Sequence, residues 1–598
     1  MKDFLKSFFA SLLAVSVVAG GAFLLFLIFV AAATQKSAPE VPEKAVLVIN
    51  LSKPISDKPF IEDPEQALQD ALSGSKTDRV MLRSLVHSLR YAAEDDRIQA
   101  VLLKGPLAQE GYSSGWAALL ELRQELAKFR ESGKQVFIYS IGYGEADYYL
   151  ASAADSIILH PMGAVELNGL ASEQLFFANA LEKYGVDVQV LRVGKFKAAV
   201  EPFLLDRMSL ENRQQIAKLL GDLLDVFVET VSEARGISTE ELQALMHERA
   251  LFKAQDAMDC GLADRVAPFD EVRRSLQELT GTEDEKDFAK ISVSSYWEAI
   301  QGRQTGSSRN RIAVIFAEGE IVGGSSKTQV GADTLARLLR RARQDDDVKA
   351  VVMRVNSPGG SAVASEIIQK ETRLIQEEGK PFVVSMGTVA ASGGYWISTY
   401  ADEIVAQPNT ITGSIGVFGL IPSVQRLANE FGITVNTVKT HPFADIGSVF
   451  RSRSGEEMAM LQEFVKQVYD QFLTKVAEGR NMEVAAVHEI AQGRVWSGIE
   501  AKQLGLVDSL GSLDDAVASA AKRAQLGDDY RLLFYQQKKD LAEAILEMIN
   551  DQNEDSAQLA PSPLGQAMRR AARQLERLRL LNDPLGVYAR MDVDLMIR

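Results

Sequence analysis

Cysteine is nearly absent from this chain: Cys260 is the only one in 598 residues. No intrachain disulfide is possible, and four-cysteine zinc sites are excluded with it. Avoidance of thiols suits an exported protein and equally suits a cytosolic one. Histidine is scarce too, with five residues: His87, His160, His247, His441 and His488. None sits in a motif that suggests a serine–histidine–aspartate arrangement. Positive charge is outnumbered, 65 Lys and Arg against 81 Asp and Glu, for a net charge of −16. That balance argues against a nucleic-acid or anionic-lipid surface on the main body, and no nucleic-acid partner is expected. The apolar fraction of 46% and charged fraction of 24% are those of an ordinary globular protein. The length calls for several domains.

Charge is missing altogether from Phe8 to Ala33. That run exceeds the ~20 residues a bilayer-spanning helix needs. Lys2 and Lys6 precede it, so the N-terminus is expected on the cytoplasmic side with the body translocated. The alternative is a cleaved signal peptide, for which Ala31–Ala33 offers small residues. Signal-peptide apolar cores usually run ~7–15 residues, so an uncleaved anchor is favoured.

The rest of the chain says nearly the same thing twice. DDRIQAVLLKG…GKQVFIYSIGYGEADYYLASAADSIILHP is followed by DDDVKAVVMRVNSPGG…GKPFVVSMGTVAASGGYWISTYADEIVAQP. Asp155 aligns with Asp402, and the same offset carries Pro161 onto Pro408 and Gly185 onto Gly432. Each copy alternates short β-branched runs with helical patterns, the signature of βαβ units and a mostly parallel sheet. Each then carries a long amphipathic helix, near Glu211–Ala234 and Glu456–Glu478. The expected organisation is N-terminus, anchor and linker over 1–44, one α/β repeat over 45–280 and a polar connection over 281–310. A second repeat follows over 311–525 and a helical tail over 526–598. The Arg-rich stretch Gln566–Leu580 reads as a solvated or oligomer-packing helix, with a membrane-surface or partner role as the alternative.

The two copies differ where chemistry is expected. The offset sets Ser392 against Glu145, Ser414 against Leu167, and Lys197 against Ala444. In VSMGTVAASGGYW a strand ends at Ser-Gly-Gly and leads into a helix. Such a turn exposes a hydroxyl beside unpaired backbone N–H groups. Alone, Ser-Gly-Gly equally describes a helix cap. RVNSPGGS makes a similar turn, and repeat one loses its Gly-Gly pair. Gly359 and Gly393 are the candidate oxyanion donors, with Gly360 a possible substitute for the first. A serine needs a base. A lysine can serve if desolvation lowers its pKa, and Lys197 lies in the apolar stretch LRVGKFKAAVEPF. Lys195 is its neighbouring competitor, and His441 the least implausible histidine. Ser414, in TGSIGVFG, is a candidate hydroxyl for holding the amine.

RVNSPGG, AASGGYW, TGSIGVFG and VGKFKAAVEPF together resemble the signal peptide peptidase A (protease IV) family, in its long bacterial form with two fused repeats. The resemblance covers essentially the whole chain. It implies two tandem crotonase/Clp-protease-like α/β domains after an N-terminal transmembrane helix. It further implies a serine protease with a Ser–Lys dyad that degrades cleaved, apolar signal peptides. Ser392 would be the nucleophile, Lys197 the general base, Ser414 the lysine-orienting hydroxyl, and Gly359 and Gly393 the oxyanion hole. No cofactor and no metal are implied. A homotetramer at the bacterial inner membrane, with its body in the periplasm, is implied as well. Two rivals remain: a crotonase-like acyl-CoA enzyme, which needs neither Ser392 nor Lys197, and a non-enzymatic membrane scaffold.

Overall fold

The computed structural model describes residues 21, 39–58, 79–108, 114–283, 286–301, 308–326, 328–535 and 587–591. The apolar segment 8–33, Gly21 apart, and the Arg-rich segment 566–580 lie outside the described residues. Among the described residues, no helix is long and apolar enough to cross a membrane.

The fold is α/β, with one mostly parallel sheet per repeat. In the first sheet the strands run Lys290–Ser292, Ala45–Asn50, Ile98–Lys104, Gln135–Tyr143, Ser156–Glu166 and Leu251–Lys253, with Arg265–Val266 also on Ser156–Glu166. The second runs Val495–Ser497, Ile411–Gly413, Phe382–Ala391, Val348–Ser357, Arg311–Glu318 and Arg531–Phe534. Both faces of each sheet are buried, which is why these strands read as continuous apolar runs. Ala313, Ile315, Val351 and Met353 face one core layer, and Ile312, Val314, Ala350 and Val352 the other. This is the two-residue side-chain period of a strand.

The expected boundaries shift in two places. Within the stretch read as a polar connection, Lys290–Ser292 adds a strand to the first sheet beside Ala45–Asn50. The helix Val293–Ile300 that follows buries Val293, Tyr296, Trp297 and Ile300 in the first core. Spacing of three and four residues between apolar positions is what a one-sided helix requires. The expected helical tail lies mostly outside the described residues. The described residues beyond 525 include two strands, Arg531–Phe534 and Val587–Arg590.

A third sheet joins the repeats. Its strands run Val330–Gly331, Ile321–Val322, Gly359–Ser361, Val587–Arg590, Val417–Ser423 and Asp187–Val193. Only the last comes from repeat one. It pairs antiparallel with Val417–Ser423 over seven residues, from Val193 opposite Val417 to Asp187 opposite Ser423. The helix Leu210–Arg235 also crosses over. Its Leu219 and Leu223 share a core with Val389, Ile411 and Val495 of repeat two.

A buried ion cluster locks the same junction. Arg354, in the strand before the Pro-Gly-Gly turn, contacts Asp57 at 3.2 Å and Glu121 at 2.7 Å, both from repeat one. Asn356 donates to the other Asp57 oxygen at 2.9 Å. Burial works against the guanidinium charge, but the two carboxylates more than offset it and hold the Arg354 pKa above its ordinary value. Burial pushes the Glu121 carboxyl up to about 7, against the pull of Arg354. A carboxyl that titrates higher folded than unfolded withdraws stability as pH rises from the ordinary carboxylate range to that value.

Asp57→Ala should therefore lower the unfolding free energy by about 3 kcal/mol, because it removes one of the two carboxylates that offset a buried guanidinium; an unchanged urea midpoint would rule that out. Glu121→Gln should flatten the loss of melting temperature between pH 5 and 7, and an identical slope in both proteins would show that the carboxyl stays ionised throughout.

Candidate active site

Ser392 stands at the end of the strand Phe382–Ala391, immediately before the four-residue helix Gly393–Trp396. Its φ is +55°, in the left-handed region where a residue with a side chain is strained. The strain is held by a backbone hydrogen bond from Ser392 N to Gly413 O at 2.8 Å. Non-glycine residues kept in such conformations concentrate at functional sites. Ser414, at the next turn, has φ +50° and donates its N–H to Arg494 O at 2.7 Å.

Lys197 reaches this turn from repeat one. Its Nζ donates to Ser392 Oγ at 3.0 Å, to Ser414 Oγ at 2.9 Å and to Ser414 O at 3.2 Å. Lys197, Ser392 and Ser414 are all fully buried. Strand pairing carries the chain as far as the Val193–Val417 pair, where the ladder ends; beyond it Ser414 N–H and Ile415 O bond to Arg494 O and Gly493 N–H, and the lysine loop turns beside Gln492 and Gly493. The Lys197 side chain then needs only to fold back over Gly416, whose Cα lies so near that a Cβ would sit 3.2 Å from Lys197 Cδ.

The lysine loop is fixed from three sides. Phe196 donates its N–H to Gln492 O at 3.0 Å, and its carbonyl accepts from Gln215 Nε2 at 3.1 Å. Buried Glu201 accepts from Ser209 N at 3.2 Å and from Asn212 Nδ2 at 3.0 Å, which ties the loop to the start of the long helix. Gly493 has φ +85°, and a Cβ there would fall 2.6 Å from Lys197 N. The backbone therefore leaves room for a hydrogen and nothing larger.

The two candidate oxyanion glycines lie together. A Cβ on Gly359, whose φ is +99°, would fall 2.6 Å from Gly393 N. Gly359 N–H donates to Ser357 Oγ at 3.2 Å. The competing bases are elsewhere: Lys195 is exposed beside the Phe196 ring, and His441 is exposed with Nδ1 near Thr440 Oγ1. Among the described residues, no group of three or more His, Cys, Asp or Glu could hold a metal ion. The structure thus brings together all five residues singled out from the sequence. Sequence reading missed Gln215, Glu201 and Gly493. Glu201 lay inside the quoted VGKFKAAVEPF motif, while Gln215 and Gly493 carry no local signal.

Chemically, an amine and a hydroxyl share one hydrogen bond in a dry setting. Desolvation penalises an ammonium relative to a neutral amine. A proton can pass between Ser392 Oγ and Lys197 Nζ without any intervening group.

The peptidase family S49 model matches residues 128–283 and 375–527. Protease 4 of Salmonella typhi is 38% identical over 574 residues, covering 92% of this chain and 91% of that protein. Protease 4 of Haemophilus influenzae is 34% identical over 577 residues, covering 92% of each. Among solved structures, a mutant ClpP1 from Listeria monocytogenes superimposes with a TM-score of 0.23 at 17% identity, over 34% of this chain and 94% of that one.

Gly493→Ala should displace the lysine backbone and break the Lys197–Ser392 contact without unfolding the chain. The expected result is loss of Ser392 labelling by a fluorophosphonate with an unchanged far-UV circular dichroism spectrum. Full labelling would show that the loop tolerates the methyl.

Proposed function

The chain belongs to peptidase family S49, and on that premise we propose that it is a serine endopeptidase working through a Ser392–Lys197 dyad on extended apolar peptides, cleaved signal peptides among them. The observation that carries this reading is the buried 3.0 Å hydrogen bond between the two side chains, contributed by different repeats. Neither an acyl-CoA enzyme of the same fold nor a scaffold needs that contact. The quoted motifs support a crotonase/Clp-protease-like fold for each repeat.

In the proposed mechanism neutral Lys197 takes the Ser392 proton as Oγ attacks a peptide carbonyl. Ser414 orients the amine from the far side. The developing oxyanion is received by Gly393 N–H together with Gly359 or Gly360. Gly359 N–H must then exchange its Ser357 Oγ partner for the oxyanion. The lysine ammonium protonates the leaving amine, and water hydrolyses the acyl-enzyme with Lys197 again as base.

The apolar segment 8–33 with Lys2 and Lys6 before it supports a single-pass anchor in the bacterial inner membrane, with the body on the periplasmic side. Assembly into a homotetramer has its own support. The repeat offset sets Thr434–Thr440 against Asp187–Val193, the strand that joins the two repeats within one chain. In repeat two this segment carries Val435 at 52% exposure and Val438 at 96%, after Phe431 at 76% and Ile433 at 57%. The same offset sets residues 170–176 of repeat one against Val417–Ser423. A second copy can offer that edge to the exposed segment, and such head-to-tail pairing forms a ring when its rotation closes.

The test is hydrolysis of a synthetic apolar signal peptide by the detergent-solubilised full chain. Ser392→Ala and Lys197→Ala should each lower kcat by on the order of 10⁴-fold or more. Wild-type activity should rise with pH to a plateau as Lys197 loses its proton. A flat profile from acid to mildly alkaline pH, or full activity in Lys197→Ala, would place the base elsewhere.

A further inference from the structure

The turn at Gln492 and Gly493 carries the lysine loop, and its first residue is strained. Gln492 has φ +54°, in the left-handed region that a residue with a side chain rarely occupies. Its carbonyl accepts from the N–H of Phe196, the residue before Lys197, at 3.0 Å. A Cβ on Gly194, whose φ is +100°, would fall 2.4 Å from that same oxygen, so the two backbones are in direct contact. On its other side Gly493 N–H donates to the carbonyl of Ile415, the residue after Ser414, at 2.8 Å. The turn is thus wedged between the loop that brings the amine and the segment that receives it.

The group that holds Gln492 in this conformation comes from a helix outside the site. Gln492 N–H donates to the Tyr469 hydroxyl at 3.2 Å. Tyr469 lies on the long helix Gly455–Arg480 and is buried in the core of repeat two. Its hydroxyl is 3.0 Å from His488 Nδ1, and the two rings meet edge to face at 5.9 Å. A phenol donates one hydrogen bond while accepting another. In the Nε2–H tautomer, His488 Nδ1 takes the phenol proton, which leaves an oxygen lone pair for the Gln492 N–H. Burial pushes the Tyr469 phenol up to about 12, so it keeps its proton, and both roles, at neutral pH. The long helix of repeat one, Leu210–Arg235, has the same length and places Leu224 at the matching step. The hydroxyl therefore belongs to the repeat whose turn meets the lysine loop, and its counterpart has none.

We propose that Tyr469 is a positioning residue for Lys197: its hydroxyl holds the strained Gln492 turn, and that turn sets where the amine meets Ser392. The inference rests on the peptidase reading of the Ser392–Lys197 pair and extends it to a residue that touches neither. A buried N–H without an acceptor is expensive, so a turn deprived of the hydroxyl relaxes toward another partner. The lysine loop follows through the Phe196 N–H. A displacement of about 1 Å at a reacting group is enough to cost on the order of 10²-fold in rate.

The experiment compares the detergent-solubilised full chain with Tyr469→Phe, which keeps the ring and removes the hydroxyl. For a synthetic apolar peptide, kcat should fall on the order of 10²-fold with KM unchanged. Labelling of Ser392 by a fluorophosphonate should slow in proportion. Val465→Ala, one turn earlier on the same helix and also buried, controls for lost stability. It should lower the melting temperature and leave kcat in place. A second readout needs no turnover: amide hydrogen exchange over residues 194–197 should accelerate at least tenfold in Tyr469→Phe and not in Val465→Ala. An unchanged kcat in Tyr469→Phe, in a wild type that hydrolyses peptides, overturns the positioning role and leaves the peptidase standing. An equal fall of kcat in Val465→Ala reduces the effect to stability and overturns the role as well. Accelerated exchange in a chain that hydrolyses no peptide keeps the hold on the loop and sinks the peptidase.

Discussion

A lysine amine taken out of water and set against a serine hydroxyl is the constraint from which the rest of this architecture follows. An ammonium in that position is expensive, and a neutral amine needs acceptors and donors of fixed position. Lys197 finds Ser392 Oγ, Ser414 Oγ and Ser414 O within 3.2 Å. Because the lysine and the serines come from different repeats, the junction between repeats must be as rigid as a domain core. It is built that way, with seven residue pairs between two strands, from Val193–Val417 to Asp187–Ser423, and a shared apolar cluster around Leu219 and Leu223.

The charged cluster at Arg354 extends the same logic one layer outward. Asp57 of repeat one holds Arg354 and Asn356, which lie five and three residues before Gly359 in the chain. Asn356 Oδ1 in turn accepts from Val389 N at 3.2 Å, three residues before Ser392. One carboxylate from repeat one is therefore connected to the strands that lead into both glycine turns. Removing water from such groups costs energy, and their mutual geometry recovers it only when the two repeats are in register. The two glycine turns and the repeat junction are thus stabilised by the same contacts.

Duplication explains how one chain carries both halves. Each repeat folds on its own sheet, so each can lose the residues the other supplies. Repeat one has Glu145 where repeat two has Ser392, and the Glu145 carboxylate accepts from Asn168 and Gly169 N–H groups instead. It has become a structural cap on a turn. In repeat two the segment matching the lysine loop is largely exposed chain around His441–Gly447.

The strands and long helices were legible in the sequence because each carries its own period, two residues or three to four. So were Ser392 and Lys197, because the repeats disagree at those positions and their motifs match a family. The helix Val293–Ile300 was not, because its apolar face is short and sits in a stretch whose flanks are polar. Nor was the strand at Val587–Arg590, whose partners lie more than a hundred and sixty residues away. By itself the sequence determined two α/β repeats and the chemical types at the site, since local periodicity and residue identity are written along the chain. Only the tertiary structure decided which lysine meets the serine and which backbone crowds it through Gly493. Those are contacts between segments whose mutual register no local pattern encodes.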